Sequence, residues 1–516
     1  MNEVDPGRRV VARTEQGCLE GLEVGSVVSF LGVPYAKPPI GNLRFALPAR
    51  PENWEGDRPA VTYGFSAPQE QHYGEIGFAE CTRHGPAAED CLTLNVWTPT
   101  IESDAKLPVF VWIHGGAFVD GTGSDSLYAG DRLAQHGVVV VTINYRLGAL
   151  GFVDFSSWFY EGRPNLGIED QFAALKWVQA NIAAFGGDPD AITVGGESVG
   201  GTCAQIALAS PRMRGAIRGA ISQSGTVYQT VPPTVSSRVA DEILKRLPMR
   251  ERRWEDLLHV PVANLISAQS AVLGEVWSGT SLGQDIAGDF CAQLTPFNPV
   301  TDTDLLPRSL ETLLTESGGR ILVGTNENEC GIYRAIAVES WNEQWMLANA
   351  ERSWRQRHIQ PFDIADAYEN VSLGPNEDSW ERAETDRYFR IPSVVTASAV
   401  ARGGGSAYMY ELRKPSGPYG CCHMLDIPCF FGKADGDLVR ILGERESVES
   451  SINMVQSPWL DFIEGRAPHL NLGLMKWPAY DEATRSTAVL ERTGWRVEED
   501  PHSERTDLWL TNLEAT

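Results

Sequence analysis

The segment VGGESVGG, from Val194 to Gly201, places a serine among glycines directly after AITV, a β-branched run typical of the end of a strand. Residues 196–200 fulfil the pattern G-x-S-x-G, and GTCAQIALA after them is typical of a helix. Glycines two residues before and after Ser198 let the strand and the helix approach closely, so that the turn holds the hydroxyl above the sheet edge. The segment therefore predicts a nucleophile at a strand-to-helix turn, against the alternative of an ordinary loop serine.

Strand-like runs recur along the chain and are almost continuously apolar, which is typical of strands covered on both faces in a mostly parallel sheet. Between two of them lies a helical stripe of Phe172, Leu175, Val178 and Ile182, which we expect to end at the turn GGDP. Helices alternating with buried strands indicate α/β architecture. The strand-like runs are 107–113, 137–145, 191–196, 219–225, 320–326 and 407–412.

A second glycine-rich turn, WIHGGAF (112–118), follows an earlier strand. Acyl transfer needs amide donors aimed at the point where a carbonyl oxygen becomes negative, and a glycine-rich loop lets several N–H groups converge there. Together with Ser198, this turn favours an oxyanion hole over a tight turn that binds nothing.

The composition excludes several classes of function. With 516 residues the chain can bury a large core, and no apolar run approaches the roughly 20 residues of a membrane helix. A formal charge of −25 argues against nucleic acid and anionic membranes as partners. The nine cysteines lack C-x-x-C spacing, which predicts mostly reduced thiols and no zinc site. The N-terminal stretch lacks the apolar core of a secretory signal, which predicts a cytoplasmic location.

Taken together, these motifs resemble the type B carboxylesterase family of the α/β-hydrolase superfamily, which includes bacterial para-nitrobenzyl esterases and the cholinesterases. The resemblance implies an α/β-hydrolase fold, with a large, central, mostly parallel twisted sheet flanked by helices. We expect a single domain over residues 1–516, with helical insertions over the active site at roughly 231–290 and 335–400. The matching segments, in the family's order, are FLGVPYAKPPIGNLRF (30–45), EDCLTLNVWTP (89–99), VWIHGGAF (111–118), INYRLGALGF (143–152), NLGIEDQFAALKWVQANIAAFGGDP (165–189), GGESVGG (195–201), QSG (223–225) and FNPVTDTDLLP (297–307).

The resemblance also implies the partners of Ser198, which follow the nucleophile in the chain. The family's acidic segment, G-x-N-x-D-E-G, corresponds to GTNENEC (324–330) and gives Glu329 as the acid. Asn328 and Cys330 replace the usual Asp and Gly there, which leaves Glu327 as a competitor. The family's histidine segment, H-x-x-[DE]-[IL]-P-x-x-F-G, corresponds to HMLDIPCFFG and gives His423 as the base.

The oxyanion hole carries over to the backbone amides of Gly116, Ala117 and Val199. The family usually has alanine after the nucleophile, so the β-branched side chain of Val199 is expected to crowd the acyl side of the site. His114 is interpreted as a residue that shapes the loop.

Two cysteines bear on the substrate. The resemblance also implies a difference from the cholinesterases, which carry a tryptophan that stacks on quaternary ammonium where this chain has Cys81. Choline esters are therefore poor candidates for the substrate. In many relatives a disulfide closes the loop at the position of Cys91, but residue 67 is alanine here, and the pairing of Cys81 with Cys91 stays open.

The implied reaction is hydrolysis of small-molecule carboxylic esters through an acyl-enzyme, without a metal or an organic cofactor. One alternative is the same machinery acting on carbamates, amides or thioesters, because a triad alone does not choose the leaving group. Another is a non-catalytic, esterase-like binding protein, and the presence of Ser198, Glu329 and His423 argues against it. A Rossmann-type phosphate binder lacks the G-x-G-x-x-G context. Monomer and homodimer are both left open.

Overall fold

The computed structural model describes residues 7–70, 85–277, 295–332, 377–414 and 417–513, together with residues 359, 363–364 and 367–368. These residues form fifteen strands, numbered in chain order. They are β1 Arg8–Arg13, β2 Cys18–Val24, β3 Val27–Pro34, β4 Asp57–Pro59, β5 Thr93–Thr98, β6 Leu107–Ile113, β7 Val139–Ile143, β8 Gly187–Glu197, β9 Gly219–Gln223, β10 Arg320–Asn326, β11 Ser406–Leu412, β12 His469–Leu470, β13 Met475–Lys476, β14 Thr487–Glu491 and β15 Gly494–Glu498.

Thirteen of these strands belong to one mixed sheet with the order β1-β2-β3-β5-β7-β6-β8-β9-β10-β11-β14-β15, and β4 pairs with β2 at one side. The seven strands from β7 to β14 in this order run parallel to one another. Antiparallel pairs flank this parallel part at both ends. The expected α/β-hydrolase architecture, with a mostly parallel central sheet, is therefore confirmed.

Side chains of β6 show why these strands are apolar throughout. Val109, Val111 and Ile113 join one buried cluster, whereas the intervening Phe110 and Trp112 join a second cluster. Successive side chains of a strand point to opposite faces of a sheet, so both faces of the sheet are packed. A strand covered on both faces has no position for a polar, solvent-facing residue.

Fourteen α-helices are present among the described residues, and those that pack on the sheet cover both of its faces. The predicted stripe of Phe172, Leu175 and Val178 is buried in one helix, but that helix ends at Asn181. The fourth member of the stripe, Ile182, starts a short 3-10 turn. The helices are α1 Asp131–Ala134, α2 Gly148–Gly151, α3 Leu166–Asn181, α4 Val199–Ala209, α5 Pro233–Arg246, α6 Trp254–His259, α7 Val262–Trp277, α8 Leu310–Ser317, α9 Glu377–Thr385, α10 Ile391–Arg402, α11 Asp426–Phe431, α12 Asp437–Leu442, α13 Arg445–Ile463 and α14 Ser503–Leu513.

The parallel part of the sheet determines where the site can form. Strands β6, β8 and β10 end at Ile113, Glu197 and Asn326, and the carboxyl ends of parallel strands meet at one edge of a sheet. The glycine turn, the serine turn and the acidic segment of the sequence each follow one of these ends. This edge therefore brings together three segments that are spread over more than two hundred residues of the chain.

Residues 278–294 and most of 333–376 lie outside the described part of the chain. The proposed arrangement of insertions 231–290 and 335–400 over the site therefore stays a prediction. Within the described ranges, no helix combines the length and the apolar composition that crossing a membrane requires.

Candidate active site

Ser198 occupies a strained turn between β8 and α4. Its backbone has φ 55° and ψ −128°, outside the regions that side chains other than glycine ordinarily adopt. Such a conformation costs about 1–3 kcal/mol and persists only where its surroundings hold it. One restraint is the hydrogen bond from the Ser198 N–H to the carbonyl of Gln223, at 2.9 Å.

The glycines on either side of Ser198 are required by close backbone contacts. A Cβ atom on Gly200 would lie 2.1 Å from the carbonyl oxygen of Ile113, at the end of β6. A Cβ atom on Gly196 would lie 2.3 Å from the backbone of Gly200. The turn can therefore form only if both positions lack a side chain, as the sequence pattern predicts.

His423 and Glu329 are in direct contact. The imidazole Nδ1 lies 2.6 Å from Glu329 Oε2. The backbone N–H of His423 also donates to the backbone carbonyl of Glu329, at 3.2 Å. The other carboxylate oxygen of Glu329 accepts hydrogen bonds from Ser224 Oγ and from the Asn326 N–H, both at 2.6 Å. Glu329 is fully buried, and these donors fix its carboxylate in place. The competitor Glu327 is exposed.

The second nitrogen of the imidazole faces Glu197, the residue before Ser198. Nε2 lies 3.0 Å from Glu197 Oε1, as an ion-pair contact that lacks the alignment of a hydrogen bond. Among the described residues, Ser198 Oγ has no hydrogen-bond partner. The structure thus places His423 beside the nucleophile turn, between two buried carboxylates.

These carboxylates change the protonation of the cluster. Burial by itself lowers the pKa of His423, but the attraction of Glu197 and Glu329 outweighs it and raises this pKa to about 9. Burial raises the pKa of Glu197 to about 8, against the opposing effect of His423. The two groups interact so closely that their protons titrate as a coupled pair.

The loop after β6 adopts an unusual run of left-handed conformations. Gly116, Ala117 and Phe118 have φ values of 107°, 52° and 61°. The carbonyl of Gly116 accepts the N–H groups of both Val119 and Asp120, which closes a tight turn. Among the described residues, the N–H groups of Gly116 and Ala117 donate to no acceptor.

Val199, the third predicted donor, is the first residue of α4. The first N–H groups of a helix have no intrahelical acceptor, so its amide is a suitable donor to an oxyanion. The side chain of Val199 is 5% exposed and belongs to the first buried cluster. His114, interpreted as shaping the loop, stacks on Tyr145 at 4.5 Å between ring centroids.

Sequence reasoning missed three residues that surround the imidazole or its partners. Glu197 and Ser224 stood within the quoted motifs GGESVGG and QSG, but nothing in either pattern indicated a contact with His423 or Glu329. The ring of Phe389 lies 4.8 Å from the imidazole, between ring centroids. It comes from a π-helical turn, Asp386–Arg390, within a stretch that carries no motif.

Asp426 forms a further buried carboxylate next to this cluster. Gln223 Nε2 donates to it at 2.8 Å and the Tyr410 hydroxyl at 3.1 Å, while burial raises the pKa of the Asp426 carboxyl. Its position three residues after His423 is that of the acidic residue in the histidine segment. Among the described residues, no group of three or more His, Cys, Asp or Glu side chains could hold a metal ion.

Cys81, the possible partner that the sequence leaves open for Cys91, lies outside the described residues. Cys91 itself has a free, fully buried thiol, and burial raises its pKa well above the usual range.

Comparison with known proteins gives consistent results. A model described as the carboxylesterase family matches residues 8–509. The chain is 35% identical over 506 residues to the para-nitrobenzyl esterase of Bacillus subtilis (strain 168), covering 96% of this chain and 97% of that protein. It is 33% identical over 500 residues to the human cocaine esterase, covering 90% and 83%. The crystal structure of a Geobacillus stearothermophilus carboxylesterase at pH 6.2 superimposes with a TM-score of 0.83 at 32% identity, covering 97% of this chain and all of that chain.

Proposed function

The chain belongs to the carboxylesterase family and is a carboxylic-ester hydrolase, and from that premise we propose that it acts through a Ser198, His423 and Glu329 triad with an acyl-enzyme intermediate. The oxyanion hole of this proposal consists of the amides of Gly116, Ala117 and Val199. The observation that carries it is the 2.6 Å contact between His423 Nδ1 and the buried Glu329 carboxylate, at the sheet edge where Ser198 turns.

In the acylation step His423 Nε2 takes the proton of the Ser198 hydroxyl as Oγ attacks the ester carbonyl carbon. The carbonyl oxygen becomes an oxyanion, and the N–H groups of the oxyanion hole stabilise it. The intermediate collapses, the bond to the alkoxy group breaks, and the imidazolium returns its proton to the leaving alcohol. Water then repeats the sequence on the acyl-enzyme and releases the acid.

Glu329 supports this chemistry in two ways. Its contact with Nδ1 keeps the proton on that nitrogen, so that Nε2 is the basic atom. Its negative charge stabilises the imidazolium that forms in each step. Both roles need a carboxylate that is held in one orientation, and the hydrogen bonds from Ser224 and Asn326 hold it.

The contact between Nε2 and Glu197 belongs to the resting arrangement in this proposal. Before attack, the imidazole has to turn from Glu197 to the hydroxyl of the next residue, Ser198. Hydrogen bonds of a catalytic site commonly tighten only in the substrate complex. Protonation of Glu197 removes its attraction for the imidazolium, and it therefore favours the turn of the imidazole toward the Ser198 hydroxyl.

The proposed substrates are small-molecule esters, with an acyl side narrowed by Val199 and with choline esters excluded as good substrates. The proposed organisation is one domain, with helical insertions at roughly 231–290 and 335–400 over the site. Carbamates, amides and thioesters share the same chemistry, and no feature of the site favours one of them over esters.

A comparative assay tests this function. Purified protein is given p-nitrophenyl acyl esters of graded chain length, and then an ester, an amide, a carbamate and a thioester that share one acyl group. We expect the ester to have the highest kcat/KM. A higher value for another leaving group would replace the ester assignment, and no turnover of any substrate would favour the non-catalytic alternative.

A further inference from the structure

A side chain from a distant part of the sequence holds the end of the oxyanion loop. Gln69 is 7% exposed, and its amide forms two hydrogen bonds with one residue, Gly121. Oε1 accepts the Gly121 N–H at 2.9 Å, and Nε2 donates to the Gly121 carbonyl at 3.0 Å. Nε2 also donates to the carbonyl of Ala67 at 3.0 Å, which anchors the side chain to its own segment.

Gly121 packs directly on the residues that precede the oxyanion donors. A Cβ atom at Gly121 would lie 2.3 Å from His114 Nδ1 and 2.5 Å from the carbonyl oxygen of Gly115. A Cβ atom at Gly116 would lie 2.1 Å from the carbonyl oxygen of Asp120. Because both contacts leave no space, a shift of Gly121 has to move the Gly115–Gly116 backbone as well.

The loop between these contacts depends on outside restraints. Ala117 and Phe118 both have positive φ, a conformation that residues other than glycine adopt at a cost and keep only when their surroundings hold them. On one side, the Gly148 N–H donates to the Phe118 carbonyl at 2.6 Å. On the other side, Gln69 holds Gly121.

We propose that Gln69 is a positioning residue of the oxyanion hole, which keeps the amides of Gly116 and Ala117 aimed at the carbonyl oxygen of the substrate. The inference rests on the proposed function, since it concerns the donors assigned there. Gln69 touches no reacting atom and acts through Gly121.

The chemistry of the glutamine side chain suits this role. Its amide offers a donor and an acceptor side by side, which the N–H and the C=O of one residue require. The neighbouring Asp120 carboxylate also accepts the Gly121 N–H, at 2.7 Å, but a carboxylate cannot donate to the carbonyl. Gln69 therefore supplies a hydrogen bond that the loop cannot make for itself.

Two substitutions separate this role from general packing. Gln69→Met keeps the length of the side chain and removes both hydrogen bonds. Gln69→Glu keeps the acceptor, loses the donor and adds a charge beside Asp120. The matched control is Gln16→Met, because Gln16 is a glutamine of 3% exposure whose amide accepts the Trp177 Nε1–H at 3.1 Å, in a different part of the fold.

For each variant, kcat and KM are measured with one p-nitrophenyl ester, together with the inhibition constants of a trifluoromethyl ketone and of the matching secondary alcohol. The ketone binds as an oxyanion adduct, whereas the alcohol does not. We expect both Gln69 variants to lose about 10-fold in kcat and in ketone affinity, less than the loss on removing a donor itself. KM and alcohol affinity should stay within about twofold, and Gln16→Met should change neither inhibition constant.

Equal losses of ketone and alcohol affinity in the Gln69 variants would overturn the proposal, because they would indicate damage to the whole site. Wild-type ketone affinity in both variants would also overturn it. If Gln69→Met fails to fold, the test rests on Gln69→Glu, which keeps one hydrogen bond and the side-chain length. Its ketone and alcohol affinities are then compared in the same way. Failure of the proposed function gives a different result, namely ester turnover that survives Ser198→Ala.

Discussion

Replacement of Glu197 by glutamine removes one of the two carboxylates that face the catalytic imidazole. Glu197 Oε1 lies 3.0 Å from His423 Nε2, and the two carboxylates together raise the pKa of His423 to about 9. A carboxylate stabilises the imidazolium, so its removal lowers the pKa of His423. The base is then neutral at a lower pH, and the acidic limb of the pH profile of kcat/KM moves down.

The size of this effect follows from the distance. At the 3.0 Å separation of Glu197 Oε1 and His423 Nε2, two full charges in a medium of effective dielectric constant of about 20 interact by about 5.5 kcal/mol, which corresponds to about four pKa units. Burial raises the pKa of Glu197 itself to about 8, so this residue carries only part of a charge near neutral pH. We therefore expect the acidic limb to move down by about one to two pH units.

The assay is kcat/KM for a p-nitrophenyl ester between about pH 5 and 9.5, with enzyme-free rates subtracted. Glu327→Gln is the matched control, because it makes the same change of charge at an exposed position. An acidic limb that stays in place in Glu197→Gln, or that moves equally in the control, would refute the reasoning.

Two further predictions concern the acid and the acyl side. Glu329→Gln should lower kcat by at least about 100-fold while Glu327→Gln retains most of the activity, because Glu329, unlike Glu327, contacts the imidazole; the reverse order of losses in steady-state kinetics would show that the acid is Glu327. Val199→Ala should raise the relative kcat/KM of bulky acyl esters, because it removes two methyl groups beside a proposed oxyanion donor; an unchanged acyl-chain profile would contradict the crowding hypothesis.

The elements that local sequence signals specify were predictable. The strand-to-helix turn at Ser198 depends on glycines two residues away, and the close contacts of Gly196 and Gly200 show why no other residue fits. The parallel strands were evident because burial on both faces leaves a continuous apolar run. The predicted boundaries of the strands and helices were less accurate. Strand β8 starts at Gly187, within the GGDP segment interpreted as a turn, because pairing with β6 extends it.

The partners of Ser198 could not be found from local signals. Glu329 and His423 lie far from the serine in the chain, and only the resemblance to a family pointed to them. The contact of Glu197 with the imidazole depends on how two distant segments pack, which no short pattern records. Phe389 is harder still, because a π-helical turn directs its ring at His423 and the surrounding sequence has no periodicity that indicates such a turn.

The central claim is that the Ser198 hydroxyl is the nucleophile that forms the acyl-enzyme. A serine-directed phosphonate tests this claim most directly. The protein is treated with the phosphonate, its intact mass is measured, and the modified peptide is identified by mass spectrometry. We predict a single adduct on Ser198 that abolishes ester turnover, and a folded Ser198→Ala variant with the same melting temperature that is neither labelled nor active. Labelling of another residue, or turnover that persists in Ser198→Ala, would contradict the account.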